Sequence, residues 1–308
     1  MSKTPSSRNK KKSKTHAQAA PSKKSVEQAI EPVKAKPAAV AAEEVSATAK
    51  NGRKWQGLEQ WHFRLTFFFV IEAALILLLA TTHDVTVTGS YAAQDSLAAA
   101  AGHPTLVTAM HRLFDVNIGF LVTAILWLAA LGHGFALSVY RKRAAAELAQ
   151  GINRLRWIEY MVTGPLILVG LALVGGIYDF ATLLMIAVLT VAALALCLLL
   201  ELRDAGKRTT KWGLWYVACL LGCAPGVIFV LQAVQTRVYG ATNLPGYVYW
   251  TGGALLVLFA ANVANLYLQR VQRGKWADYL FGERIFMLLG FAAKSTLAWG
   301  IFAGLLHP

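Results

Sequence analysis

Strict alternation of apolar and polar residues, the pattern of a membrane β-barrel, is missing from every long apolar run of this chain. Charge is scarce too: Asp, Glu, Lys and Arg make up 15% of the 308 residues, against 56% hydrophobic, and acids trail bases 16 to 30. The three cysteines, Cys197, Cys219 and Cys223, all fall inside apolar runs. That placement argues against a disulfide framework or a metal site and leaves them as small packing residues. No catalytic constellation is read, so the chain is not expected to be an enzyme. No secretory signal is read either, since the first apolar run starts after residue 60 and nothing resembling a cleavage site follows it.

What the chain has in quantity is apolar runs close to the roughly 20 residues that cross a bilayer. Seven spans are read, at about 61–82, 116–139, 155–177, 181–201, 213–235, 247–268 and 284–305. Lipid offers the backbone no hydrogen-bond partner, so without the barrel pattern these runs must be helices. The expected fold is an all-α membrane protein with a seven-helix bundle over 55–308. Positive residues are retained in cytoplasmic loops. With the N-terminus inside, those loops carry Arg141, Lys142, Arg143, Arg154, Arg156, Arg203, Lys207, Arg208, Lys211, Arg270, Arg273, Lys275 and Arg284; the other side has only Arg112 and Arg237. This places the N-terminus in the cytoplasm and the C-terminus outside, with the plasma membrane as the expected location.

Residues 1–54 hold 13 basic and 4 acidic residues and almost no large apolar ones. Such a segment cannot bury a core, so a disordered tail lying against anionic lipid is expected. Nucleic acid is not an expected partner, because the tail lacks aromatic interleaving and any recognition motif. Between the first two spans, DVTVTGSY alternates β-branched and small polar residues and reads as a strand or hairpin. An exposed edge strand of that kind can pair with a second copy of itself. Gly164-Pro165 and Pro225 are expected to kink or loosen the third and fifth helices.

Away from the span ends, four ionisable side chains are read: Glu72, His133, Glu159 and Lys294. A charge at the centre of a membrane helix costs about 2.5 to 3.5 kcal/mol on the translocon scale, so each needs a partner or a function. Counting from Arg284, the Lys294 Cα lies roughly 15 Å from the cytoplasmic end of the seventh helix, and its side chain leans back toward that end. The same arithmetic puts Glu159 about 12 Å deep, His133 about 9 Å and Glu72 about 16 Å. All four can then meet in one cytoplasm-proximal layer. Lys294 and Glu159 are either a structural ion pair or a lysine that condenses with an aldehyde into a Schiff base, whose positive charge needs a carboxylate counterion. Glu72 and His133 can also be uncharged groups that merely hydrogen-bond between helices.

GKWADYLFGER (274–284) leading into AAKSTLAW (292–299), with RWIEY (156–160) and NLPGYVY (243–249), resembles heliorhodopsins, the microbial rhodopsin family whose membrane orientation is reversed relative to light-driven pumps. The resemblance covers about 57–308. It implies that Lys294 carries all-trans retinal as a protonated Schiff base, that Glu159 is the counterion and that Tyr160 lines the pocket. It also implies that His133, in LGHGFAL, belongs to a polar cavity near the Schiff base, the layer in which depth places Glu72, and that Arg156 caps this layer toward the cytoplasm. Family members are light sensors or regulators with a slow photocycle, mostly without pumping, and they dimerise in the membrane. A homodimer and an unidentified cytoplasmic signalling partner are therefore expected.

Three positions depart from the family pattern. Its usual helix-one histidine is missing from FFFVIEAALIL, where Glu72 is the only ionisable group. Gly290 stands four residues before the lysine, where the family usually has Ser, and Gly226 follows Pro225, where it commonly has Trp. These changes bear on colour and proton routing. At Gly226 the missing ring leaves either a gap repacked by neighbouring aromatics or, by analogy with some other microbial rhodopsins, a window that seats an antenna carotenoid. The expectation is a signalling retinal photoreceptor, with ion transport and a non-photochemical scaffold as alternatives. Proton pumping is not expected, because MVTGPLILVGLALVGG after Glu159 has no carboxylate, the seventh helix has none beside Lys294, and Glu72 and His133 are placed in the cytoplasm-side layer.

Overall fold

The computed structural model describes residues 38–306 except Pro104 and Ala241, with side chains from Gln56 onward. The chain divides into two units between Thr48 and Ala49, and every membrane-spanning helix lies in the second. In chain order the elements are α1 (Ala38–Leu79), β1 (Asp84–Gln94), α2 (Ser96–Ala100), β2 (Leu106–Asn117), α3 (Ile118–Leu137), α4 (Arg141–Ala149), α5 (Arg154–Val174), α6 (Phe180–Asp204), α7 (Gly213–Val238), α8 (Gly246–Val271), a 3-10 turn (Gly274–Ala277) and α9 (Tyr279–Ile301), which closes in a π turn (Phe302–Leu306). Among the described residues seven helices are long and apolar enough to cross a membrane: Gln56–Leu79 within α1, then α3, α5, α6, α7, α8 and Tyr279–Leu306. The protein is a multi-pass seven-helix membrane protein with a two-stranded sheet.

The spans start where the chain supplies a cap. Asn117, Asn153, Asp179 and Asp278 each accept a hydrogen bond from a backbone N–H in the first turn of α3, α5, α6 and α9. Inside the bundle Phe69, Leu126, Leu171, Leu255 and Leu297 are buried, while Leu78, Leu131, Leu220 and Val257 face outward, each more than half exposed. A helix that is apolar all round needs lipid on its outer face. α5 and α7 run on through Pro165 and Pro225.

Two bounds differ from the sequence reading. α9 starts at Tyr279, several residues before the expected onset, because Asp278 caps it there. The α1 helix begins at Ala38, so the backbone of 38–54 is helical where an unstructured segment was expected. AAVAAEEVSATAK is rich in strong helix formers, and a helix satisfies its own backbone without needing a core. The rest of the expected disordered tail, 1–37, lies outside the described residues.

Successive spans reverse direction, which gives the bundle a hairpin end and a basic end. β1 and β2 pair antiparallel from Asp84↔Asn117 to Gln94↔Leu106, with a register shift after Val87 that leaves Leu113 extra on β2. The hairpin is tied to α6. The Thr88 N–H donates to Tyr178 O at 2.9 Å, and the Ser90 hydroxyl donates to Asp179 Oδ1 at 2.8 Å, while Asp179 Oδ2 accepts from the Thr182 N–H.

Asp179 thus serves as helix cap and hairpin anchor at once. Ser90's hydroxyl, followed by the Thr182 amide, holds its carboxyl below the usual carboxylate range. A group with a depressed folded value stabilises above its unfolded value, about 3.9, and loses that contribution as pH falls through the folded one. Asp179→Ala should therefore cost about 1 kcal/mol at neutral pH, and the gap to wild type should narrow in acid. Thermal unfolding of both proteins at about pH 7 and pH 3 checks this.

Candidate functional site

Lys294 sits on α9 with its Nζ 3.0 Å from Glu159 Oε1 on α5, the two side chains 3% and 10% exposed. Because α9 begins at Tyr279, the Lys294 Cα is about 22 Å from the helix start, deeper than the sequence arithmetic placed it. An ammonium at that depth needs a partner, and Glu159 supplies it. One turn along α5, Thr163 Oγ1 lies 3.0 Å from the Glu159 carbonyl and 3.1 Å from Oε1, which restricts the carboxylate. Room for Glu159 comes from Gly132 on α3, where an added Cβ would stand 2.9 Å from Glu159 Cγ. The Tyr160 and Phe69 rings lie 5.1 and 5.8 Å from Nζ.

Toward the basic end, His133 of α3 joins this group through its ring partners. Its Nδ1 is 2.8 Å from Nδ1 of His62 on α1, so one ring donates and the other accepts, and Phe69 stacks on it at 5.8 Å. FFFVIEAALIL itself holds no histidine, but helix one supplies one from upstream of that segment. His62 lies upstream of FFFVIEAALIL, seven residues before Phe69, and that spacing puts both on one helical face. That spacing is readable, but His62 lies beside the expected start of the span, where an ionisable residue does not stand out.

Glu72 departs from the single layer expected for it. Its Oε2 is 2.9 Å from Ser295 Oγ, and its Oε1 accepts from Trp299 Nε1 at 3.1 Å. Ser295 and Trp299 follow Lys294 along α9, so Glu72 lies on the hairpin side of the lysine, whereas Glu159 and His133 form a cavity with it on the basic side. The depth arithmetic treated helix starts as level, and both α1 and α9 start earlier than assumed. Glu72 and His133 therefore lie on opposite sides of Lys294, contrary to the expectation of one shared layer.

Arg156, one turn before Glu159, forms ion pairs with Glu201 of α6 and Glu283 of α9. Its guanidinium lies over the Trp157 and Phe286 rings at 4.5 and 4.0 Å. Arg270 of α8 adds a contact of 3.6 Å to Glu201, and the Tyr279 hydroxyl donates to the same residue at 2.9 Å. All four charged residues are buried. Sequence reasoning found Arg156 but counted Arg270 as a loop charge and missed Glu201 and Glu283. The signal was weak: two acids and two bases, each near a span end on one side.

From Lys294 an apolar cavity of about 170 Å³ runs between α5, α6, α8 and α9, with Trp157, Tyr160, Leu194, Phe259 and Phe286 among its walls and the exposed Gly222 of α7 at its edge. Trp157 Nε1 and Asn262 Oδ1 are buried without hydrogen-bond partners. Pro225 and Gly226 line a separate gap of about 20 Å³, with Leu256, Phe229 and Phe259 around it. That is room for about one water. The missing ring after Pro225 is thus largely repacked.

Gly290 lines the main cavity, and a Cβ there would stand 2.7 Å from the Tyr160 hydroxyl, which donates to Phe286 O at 2.7 Å. The place beside Gly290 is therefore already occupied by a hydroxyl, contributed by α5.

A family model described as Heliorhodopsin matches residues 58–306. The chain belongs to the heliorhodopsin family. Heliorhodopsins are microbial rhodopsins that bind retinal as chromophore. The transmembrane domain of Salpingoeca rosetta rhodopsin phosphodiesterase, known from its crystal structure, is similar at 12% sequence identity and a TM-score of 0.58, over 84% of this chain and 88% of that one. At that identity the likeness shows a shared rhodopsin fold alone. No curated protein matches. Among the described residues no group of three or more His, Cys, Asp or Glu is placed to hold a metal. The site of this heliorhodopsin fits an apolar aldehyde: a primary amine at the end of an aromatic-walled apolar cavity, with a carboxylate beside it.

Because the Gly290 position tolerates no Cβ without moving a rigid phenol, Gly290→Ala should break the bond from Tyr160 to Phe286 O and lower stability by about 1 to 3 kcal/mol. In a Tyr160→Phe background the same substitution should cost clearly less. Thermal unfolding of the four-member cycle tests this, and additive losses would contradict it.

Proposed function

We propose that this heliorhodopsin is a light-sensing photoreceptor in which Lys294 carries all-trans retinal covalently as a Schiff base, with Glu159 as counterion. The supporting observation is the buried amine–carboxylate pair at the end of the apolar cavity; an ion pair with only a scaffolding role has no need of that cavity. Retinal, when bound, supplies light absorption and isomerisation. The chain's own residues do the rest. Glu159 holds a proton on the lysine nitrogen by its charge, and Thr163 limits where that carboxylate can point. Tyr160 and the other aromatic walls, with Gly290 making room for Tyr160, exclude water from the nitrogen's apolar side. His133 and His62 offer a place on the basic side where a proton can be taken up and returned. Arg156, tied to Glu201 and Glu283, closes that cavity toward the cytoplasm.

The bias of basic residues toward one side supports a cytoplasmic N-terminus and an external hairpin. Signal output is then through the basic end, to a cytoplasmic partner. The hairpin, with Tyr91, Met110 and Phe114 about half exposed or more, supports pairing with a second copy to form a homodimer. An antenna carotenoid at Gly226 has weaker support, since Leu256 and two phenylalanines narrow that gap. Proton transport is the second reading, favoured by one observation, the position of Glu72 on the hairpin side of Lys294.

Retinal added to the purified protein should produce a visible pigment, and Lys294→Ala and Lys294→Arg should abolish it, since neither side chain forms the imine. A visible band surviving in either variant would overturn the assignment, and a wild-type protein that forms none would leave the scaffold reading. In Glu159→Gln the visible band should titrate away at lower pH than in wild type, or depend on added anions. Unchanged titration in anion-free buffer would mean a different counterion. Sustained, protonophore-sensitive pH changes from illuminated cells would promote the transport reading over the sensory one.

A further inference from the structure

We propose that Glu72 is a reserve counterion: a carboxyl that holds a proton while Glu159 is ionised and releases it to solvent, balancing the Lys294 nitrogen from the hairpin side, when the charge of Glu159 is removed. The proposal deepens the retinal reading and shares its lysine, but it needs only the lysine's positive charge.

The hydrogen bonds of Glu72 accommodate both protonation states. Trp299 Nε1 can only donate, so Oε1 is an acceptor at 3.1 Å whatever the charge. Ser295 Oγ, 2.9 Å from Oε2, can donate or accept. A proton on Oε2 is donated to Ser295; without it, Ser295 donates to the carboxylate. Neither partner has to leave.

The surrounding charges set which state holds. On α9 the charged neighbour is Lys294, adjacent to Ser295 in the chain and already 3.0 Å from Glu159. On α1 itself Glu59, His62 and Arg64 all lie toward the basic end, and Arg64 is exposed. From α3 comes His133, bonded to His62 on that same side, and from α5 come Glu159 and Tyr160. This part of the bundle therefore holds one cation and two carboxyls. An ionised Glu72 beside an ionised Glu159 leaves one negative charge unmatched in a medium where unmatched charge is costly. With Glu159 neutral, the unmatched charge is the cation, and Glu72 is the remaining carboxyl near it. Phe69, one turn before Glu72 on α1, has its ring 5.8 Å from Nζ, and Ser295, bonded to Glu72, adjoins Lys294 in the chain, so this turn of α1 runs beside the lysine. The step is a simple ionisation: the acid becomes carboxylate plus one solvent proton, and the lysine nitrogen keeps its charge.

The test uses infrared spectroscopy of the full chain in lipid bilayer discs, without retinal. Wild type should show a carbonyl band of a protonated carboxylic acid that is absent in Glu72→Gln and shifted in Glu72→Asp. In Glu159→Gln that band should disappear, and in the charge-conserving Glu159→Asp it should remain. Absence of a Glu72-dependent band in wild type, or its persistence in Glu159→Gln, would overturn the proposal. With retinal added, the midpoint at which the visible band of Glu159→Gln is lost should fall by at least one pH unit, tenfold in proton affinity, when Glu72→Gln is added; superimposed titrations would also overturn it. Failure of wild type to form pigment would count against the retinal reading alone, because the infrared comparison has no chromophore in it.

Discussion

A positive charge deep in a membrane bundle has to be neutralised where it stands, and the pairing of Lys294 with Glu159 is the constraint around which this molecule is arranged. Breaking a buried pair by removing one partner typically costs about 3 to 5 kcal/mol. The pair therefore sets the approach of α9 to α5 and, through Gly132, that of α3. The rigid phenol of Tyr160 fills the space at Gly290 on α9. These small residues lie where a side chain would push the carboxylate or the phenol away from the amine.

A second layer of buried charge, Arg156 with Glu201, Glu283 and Arg270, lies nearer the basic end and joins α5, α6, α8 and α9. Two acids and two bases balance, so the layer can be buried without net charge. It depends on loops meeting closely: Gly151 and Gly206, both at positive φ, approach so that a Cβ on Gly151 would stand 2.4 Å from Gly206 Cα. At the other end Asp179 ties the hairpin to α6. The cavity beside Lys294 thus lies between a closed charged layer and an anchored hairpin.

The positions singled out in the sequence as departures are accommodated locally in this chain. The Tyr160 hydroxyl stands beside Gly290, and Leu256, Phe229 and Phe259 close around Gly226. From upstream of FFFVIEAALIL, His62 reaches His133. Close packing fills volume whichever helix supplies the atoms.

Seven spans, their helicity and the presence of a strand after the first were legible in the chain alone, since lipid admits few structures and runs of that length and composition satisfy them. Lys294 and Glu159 were legible for the same reason: an ionisable residue far from any span end stands out in an apolar segment. Residues near span ends did not stand out, so Glu201, Glu283 and His62 went unnoticed and Arg270 passed for a loop charge, although the folded chain buries all four. Nor could the sequence place Glu72 relative to Lys294. Rise per residue measures depth within one helix, but the relative offset of two helices depends on where each is capped and how their side chains interlock. Only the tertiary structure decided that Glu72 meets Ser295 and Trp299 on the hairpin side, while Glu159 takes the lysine from α5.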